Sequence, residues 1–189
     1  MEALDADAIR AAMPTQPISG GAAANQIADA LGTPNPTTYS ERANVTAFVV
    51  RRFVDRCLLV DLSANPNGTL HHPDQVAEVC ARKDLADLVA ADTPLGPEQA
   101  AARLRVRRAD FDHMARLSWL RSPQSIEVRH GTSRAGAVDV ALYTTASVDA
   151  VIPAHPEVDW EQLRAVEKGK RSLLASLRAV RTPALTACR

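Results

Sequence analysis

Apolar positions along this chain recur mostly at intervals of three and four, and cluster as in strands over two shorter stretches. Residues 2–13 carry the first helical pattern, ended by Pro14, and PTQPISGG reads as a loop. AAANQIADALG (22–32) predicts a helix with Gly32 as its stop. NVTAFVVRRFVDRCLL (44–59) has a mostly helical pattern through Val45, Phe48, Val49, Phe53 and Val54, although its β-branched residues also suit a strand. VDLSANPNGTLHH predicts a hairpin, with Pro-Asn-Gly between two short apolar runs. PDQVAEVCARKDLADLVAAD is helical to about residue 91, and Pro94 closes it.

In LGPEQAAARLRVRRADFDHMARLSWL (95–120), Pro97 fits a helix first turn, where its missing N–H costs nothing. Ala101 and Leu104 face inward, and Val106 is the apolar residue of a short turn. Phe111, Met114 and Ala115 make the stripe of the next helix, and Trp119 and Leu120 cap the core. SIEVRH (125–130) and VDVALYT (138–144) read as strands around the loop GTSRAGA. TASVDAVI predicts a short helix broken by Pro153. Residues 158–180 read as helix in two pieces around Gly169, followed by a frayed tail.

The chain also resembles itself. TLHHPDQVAEVCA (69–81) lies over ALYTTASVDAVIP (141–153) at an offset of 72, which matches Leu70 with Leu142, Val76 with Val148 and Val79 with Val151. Upstream, Leu31 matches Leu104, Phe53 matches Met114 and Leu59 matches Leu120. Both halves then read helix, turn, helix, hairpin, helix, with a longer first connection and a shorter hairpin in the first copy.

Composition narrows the class. At 189 residues and 46% apolar the chain can build a real core, and 4% aromatic residues fit small Ala/Leu/Val domains better than one large sandwich. No apolar run approaches the ~20 residues of a membrane span. The N-terminal MEALDADAIRAAM is acidic and does not read as a secretory signal. Cys57, Cys80 and Cys188 are odd in number and far apart, so they predict neither a disulfide framework nor a zinc knuckle, and the expected compartment is the cytoplasm. The net charge is zero but uneven: residues 1–95 hold 7 basic and 12 acidic side chains, residues 96–189 hold 15 and 10. The basic half can carry an electrostatic footprint that the total hides.

No enzyme is expected. There is no Ser/His/Asp arrangement to infer, no phosphate-cradling glycine loop and no cysteine nucleophile in a recognisable setting. His71 and His72 are neighbours that point to opposite faces of a strand, so no metal site is expected, and no cofactor either. His113 reads as a surface residue, and Trp119 and Trp160 as packing residues.

Helix–turn–helix, β-wing and a short helix opening on a Tyr-Thr step resemble the MerR-like and excisionase-like winged helix–turn–helix domains. PEQAAARLRVRRADFDHMARLSWL is similar to their two helices and turn, and DVALYTTASVDAV to their return strand and following helix. The likeness covers about 95–153 well and 22–85 weakly, and is of an actinobacterial type. It departs from full MerR regulators in lacking a long coiled coil, a metal-sensing cysteine pattern and a ligand domain. It implies a mainly α fold with small β-hairpin wings, arranged as two tandem units. The expected boundaries are 1–21 (N-terminal helix and linker), 22–92 (first unit), 93–157 (second unit, the main DNA reader) and 158–189 (helical extension and tail).

The resemblance implies a small DNA-binding protein: a transcriptional regulator, an excisionase-type architectural factor or a plasmid partition protein, associated with the nucleoid. Helix 107–118 would enter the major groove, and the 126–143 wing would follow the backbone or the minor groove. Arg105, Arg107, Arg108 and Arg116 are the candidate helix and turn contacts. Arg129, His130, Thr132, Ser133 and Arg134 are the wing contacts, and Arg51, Arg52 and Arg56 form a candidate second DNA surface. The arginines equally suit a solvated face, since Arg108–Asp112 and Asp112–Arg116 are i,i+4 pairs worth only ~0.2–0.5 kcal/mol each. The competing class is a winged-helix scaffold that binds protein and not DNA. Its partner, or a second copy of the chain, would then sit on the acidic first unit or the C-terminal helices.

Overall fold

The computed structural model describes residues 15–38, 41–65, 68–129 and 137–177; the helix expected over 2–13 and the frayed tail lie outside them. The chain is a mixture of helices and two small antiparallel sheets. It divides into two compact units between Ala86 and Asp87, a few residues before the expected boundary at 92/93.

In the first unit, strand β1 (Ile18–Ser19) leads directly into helix α1 (Gly20–Ala30). Ser19 starts the helix, its Oγ accepting from the Ala22 N–H at 3.2 Å. Gly20, Ala23, Ala24, Ile27 and Ala28 form the buried face, at the i, i+3, i+4, i+7, i+8 spacing of an amphipathic helix. Gly20 must be small: a Cβ there would sit 2.4 Å from Thr69 Oγ1, and its N–H donates to the Thr69 carbonyl at 3.0 Å. The turn-rich connection is held by Asn35, whose amide both donates to the Val45 carbonyl (2.7 Å) and accepts from the Val45 N–H (2.9 Å).

Helix α2 (Ala47–Asp55) buries Phe48, Val49, Val50 and Phe53, so helical spacing overrides the β-branched content of this segment. Strand β2 (Leu70–His71) precedes α3 (Pro73–Cys80), which buries Val76 and Val79. The expected 60–72 hairpin is corrected here. Leu62 does donate to the Leu70 carbonyl (2.8 Å), but β2 pairs with β1, Ile18 opposite His71. The single helix expected to residue 91 is two, α3 and α4 (Leu85–Asp92).

The second unit takes in most of α4, from Asp87, and continues with β3 (Pro94–Leu95), α5 (Pro97–Leu104) and α6 (Arg108–Arg116). Strands β4 (Gln124–Arg129) and β5 (Ala137–Thr144) follow, and the sheet order is β3-β5-β4 with all pairs antiparallel. Thr144 caps α7 (Thr145–Asp149), and α8 (Val151–Ala154) follows. Pro153 does not break this segment; it sits in the first turn of α8, where the missing N–H of proline leaves no helical hydrogen bond unmade.

Within 158–177 the expected helix is shorter than its pattern: α9 (Trp160–Ala165) and a 3-10 turn at Leu173–Ser176 stand on either side of Gly169 (φ +86°), and 178–180 lie outside the described residues. Leu163 and Leu174 join Ala100, Ala101, Leu104, Phe111, Met114 and Tyr143 in one core. The C-terminal segment is therefore part of the second unit and not an appendage to it.

Both parts of the chain run strand, helix, helix, strand, helix, with an extra strand, β4, before β5 in the second. Backbone detail repeats with it. Cys57 and Ser118, 61 residues apart, both adopt positive φ just after the second helix (+56° and +62°). Leu58 donates to the Phe53 carbonyl as Trp119 does to that of Met114. Val76 and Val148 are both fully buried, as are Phe53 and Met114. The first helices share both ends at different offsets. N-caps Ser19 and Gly96 are 77 apart, while left-handed Gly32 and Arg105 are 73 apart, so α1 has one extra turn. The sequence match of Leu31 with Leu104 aligns only the C-terminal ends of these helices.

Candidate nucleic-acid interface

Three residues, Arg105, Val106 and Arg107, join α5 to α6. The chain reverses at Arg105, which takes the left-handed conformation (φ +56°), its N–H donating to the Ala102 carbonyl at 3.0 Å. Val106 packs partly buried against the core, which leaves Arg105 exposed. Leu104, Phe111 and Met114 hold the two helices together, so the outer face of α6 is set by Arg108, Ala109, Asp112 and Arg116.

The predicted arginines do not act alike. Arg107, expected as a DNA contact, is engaged inside the unit. Its Nε and Nη2 donate to the two oxygens of Asp110 at 2.7 and 2.8 Å, and Nη1 donates to the carbonyls of Glu167 (2.7 Å) and Lys170 (3.0 Å). Four of the five guanidinium N–H groups are thus committed. Asp110 is fully buried. Burial by itself would raise its pKa, but hydrogen bonds from Arg107 and Ser172 outweigh that and hold the carboxyl below its ordinary range. Arg116 stays exposed, its Nη2 donating to the carbonyls of Leu174 and Leu177, both at 3.4 Å.

Arg108 is 41% exposed and pairs with Asp112 (2.9 Å) and Glu98 (3.2 Å). Both carboxylates are themselves well exposed, so these ion pairs are weak and exchangeable. Arg129 closes β4 in register with Ala137. His130, Thr132, Ser133 and Arg134 lie outside the described residues. In the first unit, Arg51 and Arg52 are half-buried on α2, Arg52 pairing with Asp55 at 2.6 Å, and Arg56 is exposed at its C-terminal end. The histidine neighbours part company. His71 is fully buried with Nδ1 2.9 Å from the Val60 carbonyl, while His72 caps α3. Trp119 stacks on His155 (3.8 Å, 19°) and meets Trp160 edge-on, which ties α8 and α9 to the end of α6.

The fold adds residues that periodicity and charge did not single out. Arg107's bonds to Glu167 and Lys170 draw the 166–170 turn onto the start of α6. A cavity of about 490 Å³ opens there, lined by Arg107, Arg108, Ala109, Val166, Lys168, Gly169 and Lys170. The run EKGKR is visible as charge, but nothing in local periodicity says that it folds back on RVRR.

The wing has its own character. Glu127 lies directly opposite Asp139 on one face of the hairpin. Ile126 with Val140, and Val128 with Val138, share the other face, where Ile126 and Val138 are exposed. Among the described residues no helix is long and apolar enough to cross a membrane, and no group of three or more His, Cys, Asp and Glu side chains is placed to hold a metal ion. No family model matches this chain, and neither a curated protein nor a solved structure matches it.

Proposed function

We propose that this chain is a small DNA-binding protein built from two tandem winged helix–turn–helix units, acting at the nucleoid as a regulator, excisionase-type factor or partition protein. The second unit is the reader: α6 enters the major groove and β4–β5 serves as its wing. The observation that carries this reading is the α5–α6 join. Arg105 in the three-residue turn and Arg108 at the start of α6 are both at the surface, with Lys168 and Lys170 brought beside Arg108. Arg107 is the brace of this surface and does not itself touch DNA.

The test is duplex binding by fluorescence anisotropy across a salt series. Each phosphate that a side chain neutralises adds ~0.9 to the slope of log K against log salt. Arg105→Ala with Arg108→Ala removes two such side chains, so it should weaken binding and lower the slope by about 1.8. No binding of the unmutated protein at low salt, to its own upstream DNA or to any duplex, would sink the reading.

A second reading, a protein-binding scaffold, has specific support in the wing. The exposed Ile126 and Val138 on one face of the hairpin suit a protein surface. On that reading Val138→Lys abolishes a partner complex, and the arginine substitutions leave it intact.

A further inference from the structure

We propose that the cavity between α6 and the 166–170 turn is a phosphate-binding site. The proposal deepens the DNA-binding reading and rests on it for one of the two sources of phosphate, a nucleic-acid backbone; the other is a free phosphorylated molecule.

The volume, about 490 Å³, is in the range of ligand sites, ~300–1,000 Å³. Its charged lining is all of one sign: Arg107, Arg108, Lys168 and Lys170, with no carboxylate among the lining residues. The four cations are not equivalent. Arg107 is saturated by Asp110 and the two backbone carbonyls, so it fixes the walls and leaves the ligand to others. Arg108 has only exposed, exchangeable partners. Lys168 and Lys170 are exposed, and their ammonium groups have no ion-pair partner among the described residues.

Arg107 and Arg108 already have carboxylate partners, so the charge left to offset is that of Lys168 and Lys170, and holding two like charges close together is unfavourable unless an anion joins them. Here the backbone enforces it, because Arg107 grips the carbonyls on either side of the Lys168–Gly169 pair. Gly169, at φ +86°, permits the tight turn that sets the two lysines one residue apart from it. A tetrahedral anion with several acceptor oxygens is the ligand that two ammonium groups and a guanidinium would satisfy together.

The experiment uses the full chain, labelled with 15N, titrated separately with inorganic phosphate and with a duplex of random sequence. The expected result is saturable movement of the Ala109 and Gly169 amide resonances with phosphate, and loss of that saturation in Lys168→Gln/Lys170→Gln. The duplex should move the same two resonances, and excess phosphate should reverse them. Loss of one backbone phosphate lowers the salt slope by about 0.9, about eightfold in affinity at 0.1 M relative to 1 M salt. Silence of both amides toward phosphate and duplex overturns the site, as does a lysine double variant that binds phosphate like the parent. Duplex binding that leaves these amides unmoved overturns the site while the DNA reading stands. Saturation by phosphate with no duplex binding supports the site, overturns the DNA reading and identifies the source as a free phosphorylated molecule.

Discussion

Asp110→Asn is the sharpest test of how the second unit is held together. The side chain is fully buried, and it accepts two charge-assisted hydrogen bonds from an Arg107 that retains only 21% of its exposure. The amide keeps the shape but removes the charge, and it turns one acceptor into a donor facing a guanidinium N–H. Breaking a buried pair from one side costs about 3–5 kcal/mol, and the lower figure applies because Arg107 can partly rehydrate. At about 4 °C per kcal/mol for a unit of roughly 100 residues, a loss of about 3 kcal/mol lowers Tm by about 12 °C. Both tryptophans, Trp119 and Trp160, belong to the second unit, so their fluorescence reports this transition selectively. The pH dependence adds a second readout. Asp110's pKa is depressed in the folded state, so its stabilisation is present above the unfolded value of about 3.9 and is lost as pH falls through the folded value. Stability of the parent should therefore drop more steeply below about pH 4 than that of Asp110→Asn. A loss below about 1 kcal/mol, or parallel acid profiles for the two proteins, would refute the reasoning.

Packing yields two more expectations. Gly20→Ala forces a Cβ into Thr69 Oγ1 and should cost about 1–3 kcal/mol by chemical denaturation; Thr69→Ala should restore most of it, and additive losses would contradict the close approach. Truncation after residue 157 removes Leu163 and Leu174 from the core, so the second unit should lose its cooperative thermal transition; a sharp, unchanged calorimetric transition would show that the C-terminal segment is dispensable.

Where periodicity is strong, the sequence is a good guide to this fold. Phe111, Met114, Leu104 and Ala101 are buried as their spacing implies, and the β4–β5 hairpin falls within a residue or so of its expected strands. Pairing between short, distant segments is not legible. Ile18–Ser19 is too short to alternate, and its partner His71 lies far along the chain, so PTQPISGG looks like a loop. The candidate site divides in the same way. Arg105 and Arg108 are readable as surface cations at a helix–helix join. Arg107 looks like a third, because its decisive acceptors are backbone carbonyls at Glu167 and Lys170, which have no sequence signature. Lys168 and Lys170 lie between Leu163 and Leu174, two core residues whose separation of three helical turns suggests one continuous helix and so hides the turn between them.

The C-terminal strip has a consequence for how the protein is made. The first unit has its buried residues in hand once Leu85 has been synthesised, whereas the second cannot close until Leu174 follows. During translation the first unit can reach its final form while α5, α6 and the hairpin still lack two core side chains and the braces for Arg107. The surface around RVRR is therefore assembled last, by a segment that arrives after every helix and strand it depends on.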